Sequence, residues 1–130
     1  MRSIRDAGFT LVELVVVMVI IGVLAAIAVP IFLGSLDQAR AGALQAALAT
    51  ARLETALVVV EEEALPAGSE LDDILDAHGD DDITLAFSGS GTDFCIQGVH
   101  ALVDEPWAVT QRLAPVSGAS CAPDGSLVGP

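Results

Sequence analysis

The chain opens on one uninterrupted apolar block and then changes rhythm twice. The block is GFTLVELVVVMVIIGVLAAIAVPIFL, Gly8 to Leu33, and its 20 residues from Leu14 to Leu33 carry no formal charge. As helix, at about 1.5 Å per residue, that run extends roughly 30 Å, the depth of a bilayer's hydrocarbon core. Gly22 and Pro30 interrupt it without adding charge. Membrane helices tolerate both, but Pro30 has no N–H to donate, so a helix kink is expected at Gly22 and Pro30.

Beyond Leu33 the apolar positions take a helical period. Leu44, Leu48, Ala51, Thr55 and Val58 recur at spacings of three and four, and so do Leu53, Leu57 and Val60. Together they predict a broad apolar stripe, with Asp37, Gln38, Arg40, Gln45, Arg52 and Glu54 over much of the remainder. Alanine, the best helix former, dominates the segment. The pattern predicts one nearly continuous helix from about Thr10 to about Glu63, roughly 80 Å long at about 1.5 Å per residue. Pro66-Ala67-Gly68-Ser69 should break it. A short helix is expected over Ser69–Ala77, with Ser69 as N-cap and Asp72 three residues on. An acidic loop, His78 to Asp82, follows.

The remainder alternates with a period of two. Ile83, Leu85 and Phe87 alternate with Thr84, Ala86 and Ser88, and Gly89-Ser90-Gly91 reads as a turn. Between Thr92 and Val103, the residues Phe94, Ile96, His100 and Leu102 share one face, with Gly98 a candidate bulge. Trp107, Val109 and Leu113 supply a third apolar face after the turn Asp104-Glu105-Pro106. Short turns between three strands predict an antiparallel meander with one face on the helix and the other on water. From Ala114 a Pro-, Gly- and Ser-rich loop or weak last strand ends the pattern. The fold class is therefore α+β: a long N-terminal helix, transmembrane in its first half, packed in its second half against a small antiparallel sheet.

Charge sharpens this picture. The chain has 5 Lys plus Arg against 18 Asp plus Glu, a net of −13. From Glu61 onward 14 acidic residues face one Arg, Arg112, so direct nucleic-acid binding by this acidic region is not expected. Arg2 and Arg5 precede the span and the acidity follows it, which places the N-terminus in the cytoplasm and the C-terminal domain outside. Cys95 and Cys121 then both lie outside, where an even count in a small domain predicts a disulfide. Two sulfurs with His100 as the only helper fall short of zinc's usual four ligands.

A basic leader, then Gly8, Phe9, Thr10, Leu11, Val12 and Glu13, then an apolar run ending AAIAVP, resembles the N-terminus of a type IV prepilin. That family includes the pseudopilins of type II secretion and of DNA uptake. The resemblance covers residues 2 to about 33, and it implies a pilin-like fold in four parts. Residues 1–8 are the prepilin leader, 9–33 the transmembrane and assembly half of the helix, 34–65 its amphipathic soluble half, and 66–130 the acidic loop region plus the sheet with its C-terminal disulfide loop. It also implies cleavage between Gly8 and Phe9 by a prepilin peptidase, N-methylation of Phe9, and pairing of Glu13 with a cationic N-terminal amine during assembly. The implied partners are identical or related pilin subunits, the peptidase, a pilus assembly platform and the inner membrane. The implied location is the cell membrane for the precursor and then an extracellular pilus. Many pilins tie their C-terminal region by a disulfide, in agreement with Cys95 and Cys121.

The expected function is thus a structural subunit of a type IV pilus-like filament serving adhesion, motility or DNA uptake. A pseudopilin of a type II secretion-like system is the alternative within the family. A secreted acidic binding domain is the alternative outside it, because Ala26-Ile27-Ala28 satisfies the small-x-small rule and cleavage after Ala28 would free the rest. Glu13 within the apolar region and the Gly–Phe junction count against that. Asp76, Asp80 and Asp82 are weak calcium candidates: the acidic run does not fit EF-hand spacing, and a solvated charged surface is preferred. No cofactor and no catalysis are expected, since no nucleophile elbow, phosphate loop or His-rich metal motif is present.

Overall fold

A computed structural model describes residues 8–130. The expected leader, with Arg2 and Arg5, lies outside the described residues except for Gly8. Helix α1 spans Leu11–Glu62 and runs unbroken through Gly22 and Pro30. The chain divides between Leu36 and Asp37 into two units, and α1 contributes to each. From Leu11 to Leu33 the first unit is apolar helix with its large side chains in the open.

The second unit, Asp37–Pro130, holds the core. Here α1 buries Leu44, Leu48, Ala51, Thr55 and Val59. The predicted stripe is real but narrower: Val59 rather than Val58 completes it, and Leu53, Leu57 and Val60 are exposed. The spacing of 53, 57 and 60 is helical, yet those residues lie off the arc that meets the sheet. The helix stops at Glu63, which adopts a left-handed φ of 54°, with no basic residue in the last turn. Helix α2, Ser69–His78, inserts Ile74 into the core. Its N-cap is Gly68, not Ser69, and no side chain caps it. His78, expected in the loop, is the last residue of α2, and its Nε2 meets the Glu54 carboxylate of α1.

Strands β1 (Ile83–Ser90), β2 (Asp93–His100), β3 (Trp107–Thr110) and β4 (Val116–Ser117) form an antiparallel sheet in sequence order. The predicted meander thus gains a fourth strand. The first hairpin also closes later than expected. Strand β1 continues through Gly89 and Ser90, and the turn is Gly91-Thr92, with Gly91 at φ 67° in the first central position, where a type II′ turn needs glycine. A second, two-stranded sheet pairs β5 (Ser120–Cys121) with β6 (Leu127–Val128).

Alternation along β2 sends Phe94, Ile96, Gly98 and His100 to the α1 side. Gly98 is no bulge: it pairs in register with Leu85 on one side and Trp107 on the other. Its lack of a side chain serves packing. A Cβ there would stand 2.7 Å from Leu44 Cδ1, 3.1 Å from Leu85 Cδ2 and 3.2 Å from Leu48 Cδ2. The glycine lets the two helix leucines settle directly on the sheet. Leu102 and Leu113, expected on the apolar faces, fall beyond the strand ends and are exposed.

The opposite face of the sheet is not simply wet, as the alternation suggested. Cys95, Ala108 and Ala119 form a second buried cluster there, flanked by Val116, Cys121 and Leu127. The β5–β6 ribbon covers that patch, and Cys121 N–H donates to Gln97 Oε1 at 3.1 Å to seat it.

Two glycine substitutions should move stability in opposite directions. Gly98→Ala should cost about 1–2 kcal/mol, since an added methyl overpacks a filled layer whose neighbours are leucine side-chain ends. Gly42→Ala should gain about 0.5–1 kcal/mol, because Gly42 is mid-helix with open space around its missing Cβ. Urea midpoints of the detergent-solubilised chain check both.

Candidate functional site

The start of α1 is built as a reciprocal cap. Thr10 is the residue before the first helical turn, and Glu13 is the third residue within it. Glu13 N–H donates to Thr10 Oγ1 at 3.2 Å. In return Glu13 Oε2 accepts from Thr10 N–H at 3.0 Å and from Thr10 Oγ1–H at 3.1 Å. This is a capping box, which satisfies two backbone donors that the first turn would leave unpaired. The T-x-x-E spacing is present in the sequence, but there Glu13 is assigned only to an incoming amine. The box that the sequence suggested at Ser69 and Asp72 forms instead at Thr10 and Glu13.

Gly8 and Phe9 sit just ahead of this cap, outside the helix and exposed, with Phe9 84% accessible. Nothing lies within 4 Å of where a Gly8 Cβ would stand. Gly8, Phe9 and Glu13 thus come together at one open helix start. After them the helix is apolar on all sides: every large hydrophobic residue from Leu11 to Leu33 is exposed. It is long and apolar enough to cross a membrane.

Residues 4–29 match the family model described as the prokaryotic N-terminal methylation motif. The chain is also 45% identical over 62 residues to the type IV narrow pilus major component PilA5 of Thermus thermophilus, a match covering 48% of this chain and 53% of that protein. Over these stretches the chain is similar to type IV pilin-like proteins. It spans about half the length of the curated relative it matches.

The two cysteines are joined: Cys95 of β2 and Cys121 of β5 form a disulfide, with Cα atoms 5.6 Å apart. The bond links the middle of the sheet to the ribbon that covers it. Next to it, Asp93, Arg112, Leu113, Asp124 and Ser126 line an open groove of about 560 Å³. Arg112 Nη2 lies 3.6 Å from Asp93 Oδ1 there, with both side chains mostly exposed. The Ser126 hydroxyl, and then its amide, hold the Asp124 carboxyl below its ordinary value. That turn contact is present at neutral pH and is lost as pH falls through the lowered value.

The calcium candidates do not converge. Among the described residues no three His, Cys, Asp or Glu side chains group so as to hold a metal ion. Asp80 instead closes the loop ahead of β1, its Oδ1 accepting the N–H of Asp82 at 2.8 Å and of Ile83 at 2.7 Å. His100 is buried in β2 and its Nδ1 accepts the Leu102 N–H at 3.1 Å.

Replacing both cysteines by serine should lower stability by about 3–4 kcal/mol, the chain-entropy value for a loop of this length. The loss should fall first on the β5–β6 ribbon. Hydrogen exchange should therefore show the amides of residue 121, held by Gln97 Oε1, and of Ala122, held by Ser126 O, losing protection before those of β2.

Proposed function

We propose that this chain is a structural subunit of a type IV pilus-like filament. A prepilin peptidase cuts between Gly8 and Phe9, Phe9 is N-methylated, and the retained helix carries the subunit from membrane to fibre. The observation that carries this reading is the helix itself: apolar over its whole circumference, with a single carboxylate in its first turn. Such a surface trades lipid for neighbouring apolar helices at little cost, so polar groups set the register. The methylation motif over residues 4–29 and the similarity to a pilus component support it.

Glu13 is the polar group in question. A carboxylate within a membrane span costs about 2.5–3.5 kcal/mol at the centre and less near the ends. Its bonds to Thr10 offset part of that within its own subunit. A new subunit then brings a cationic amine on Phe9 into a low-dielectric bundle, where an unpaired charge is costly, and Glu13 is its partner. The partners of this reading are identical or related pilin subunits, the peptidase, an assembly platform and the inner membrane. The precursor has its N-terminus in the cytoplasm and its acidic domain outside, and the product is an extracellular pilus. A pseudopilin of a secretion system would use the same helix and the same glutamate.

The capping geometry favours one competing role, in which Glu13 only closes its own helix. Two variants separate the roles. Glu13→Gln keeps the cap, because glutamine serves at this position too, and removes the charge. Thr10→Val keeps the charge and removes the hydroxyl of the cap. With each as the only subunit, filaments counted by electron microscopy should fall at least about tenfold for Glu13→Gln, equivalent to about 1.4 kcal/mol or more per assembly step. Thr10→Val should stay near wild type. The reverse pattern would make Glu13 a capping residue alone.

A further inference from the structure

The outer edge of β1 is open, and its backbone can be followed group by group. Strand β1 is the first in the sheet and pairs only with β2, across eight residue pairs without a break. Ala101 N–H donates to Asp82 O at 2.8 Å, so the ladder to β2 uses Asp82 and then every second residue: Thr84, Ala86, Ser88 and Ser90. The residues between them turn N–H and C=O outward. At Ile83 both outward groups are satisfied by Asp80: Ile83 N–H donates to Asp80 Oδ1, and Ile83 O accepts Asp80 N–H at 3.0 Å. There the cover ends. Among the described residues, the outward groups of Leu85 and Phe87 have no partner.

Edge strands are commonly blunted by a charge, a proline or a bulge. ITLAFSGS has none of these. Beside its first half lies a groove of about 310 Å³ lined by Leu75, Asp76, Asp80 and Leu85 among others. Asp80 Oδ1 is committed to the loop, whereas the Asp76 carboxylate has no partner among the described residues. Asp81 and Asp82 are exposed nearby in sequence. The occupant's charge follows. The unit Asp37–Pro130 has 16 acidic residues and three arginines. Arg40 pairs with Asp37, Arg52 donates to Gln111 O at 2.9 Å and Arg112 lies by Asp93. A second copy of this unit therefore brings acidity and no free cation.

We propose that the outer edge of β1 takes up an extended, lysine- or arginine-bearing segment of a different protein. The segment pairs through its main chain with Leu85 and Phe87 and sets a cation against Asp76. Added strands gain affinity from backbone bonds and selectivity from flanking side chains, and acidic flanks select a basic partner. This contact is separate from helix-driven assembly and leaves α1 free.

Hydrogen exchange of the isotope-labelled full chain in detergent tests it, with short synthetic peptides of alternating valine and threonine ended by lysine or by glutamate as probes. Alone, the Leu85 and Phe87 amides should exchange quickly. The lysine-ended peptide should slow them about tenfold or more, and the glutamate-ended peptide should not. Asp76→Asn should weaken the lysine-ended peptide a few-fold, as expected for an exposed ion pair. The proposal is overturned if these amides are slow without peptide, or if neither peptide protects them. Equal protection by both peptides overturns it too, as does protection that rises with protein concentration alone, which would make a second copy the occupant.

Discussion

The apolar surface of the first half of α1 is the constraint on which the rest depends. A large aliphatic side chain moved from water to an apolar phase gains about 1.5–3 kcal/mol. More than a dozen such side chains stand exposed between Leu11 and Leu33, so the cost of leaving them in water is tens of kcal/mol. Among the described residues nothing in the first unit covers them. The segment needs an apolar phase at every stage, first lipid and then, in the proposed filament, neighbouring helices. Its backbone is satisfied within the helix beyond the first turn, and the capping box adds the N–H groups of Thr10 and Glu13 at its start.

The second unit solves a different problem with the same helix. There α1 meets a sheet and must approach closely, and Gly98 makes the room for Leu44 and Leu48. The sheet's other face needed cover as well. A short ribbon supplies it, fixed by the Cys95–Cys121 bond and by the Gln97 side chain. A region with so few bulky core residues gains from such a tie, since a small core yields little stability by itself.

The sequence exposed the long helix and its soluble core positions because period and composition pointed the same way. Leu44, Leu48, Ala51 and Thr55 were legible for that reason. Leu53, Leu57 and Val60 were misread, because periodicity finds an apolar arc but not how much of it the sheet covers. Gly98 looked like a bulge, since an isolated strand glycine has two explanations and only packing separates them. Ribbon β5–β6 was legible only as a loop or weak last strand, because two-residue strands carry no alternation. At the helix start, Gly8, Phe9 and Glu13 stood out at once. The cap between Thr10 and Glu13 did not, although its spacing was present, because the carboxylate was read for its charge and not for its hydrogen bonds.

The account rests on the apolar helix being kept rather than removed. Intact-mass and N-terminal peptide analysis of the mature protein tests that directly. The account predicts a chain that begins at N-methylated Phe9 and retains the whole of α1. A chain beginning at Val29, cut after Ala28, would contradict it, because a soluble acidic domain would then be the product and the helix a discarded signal.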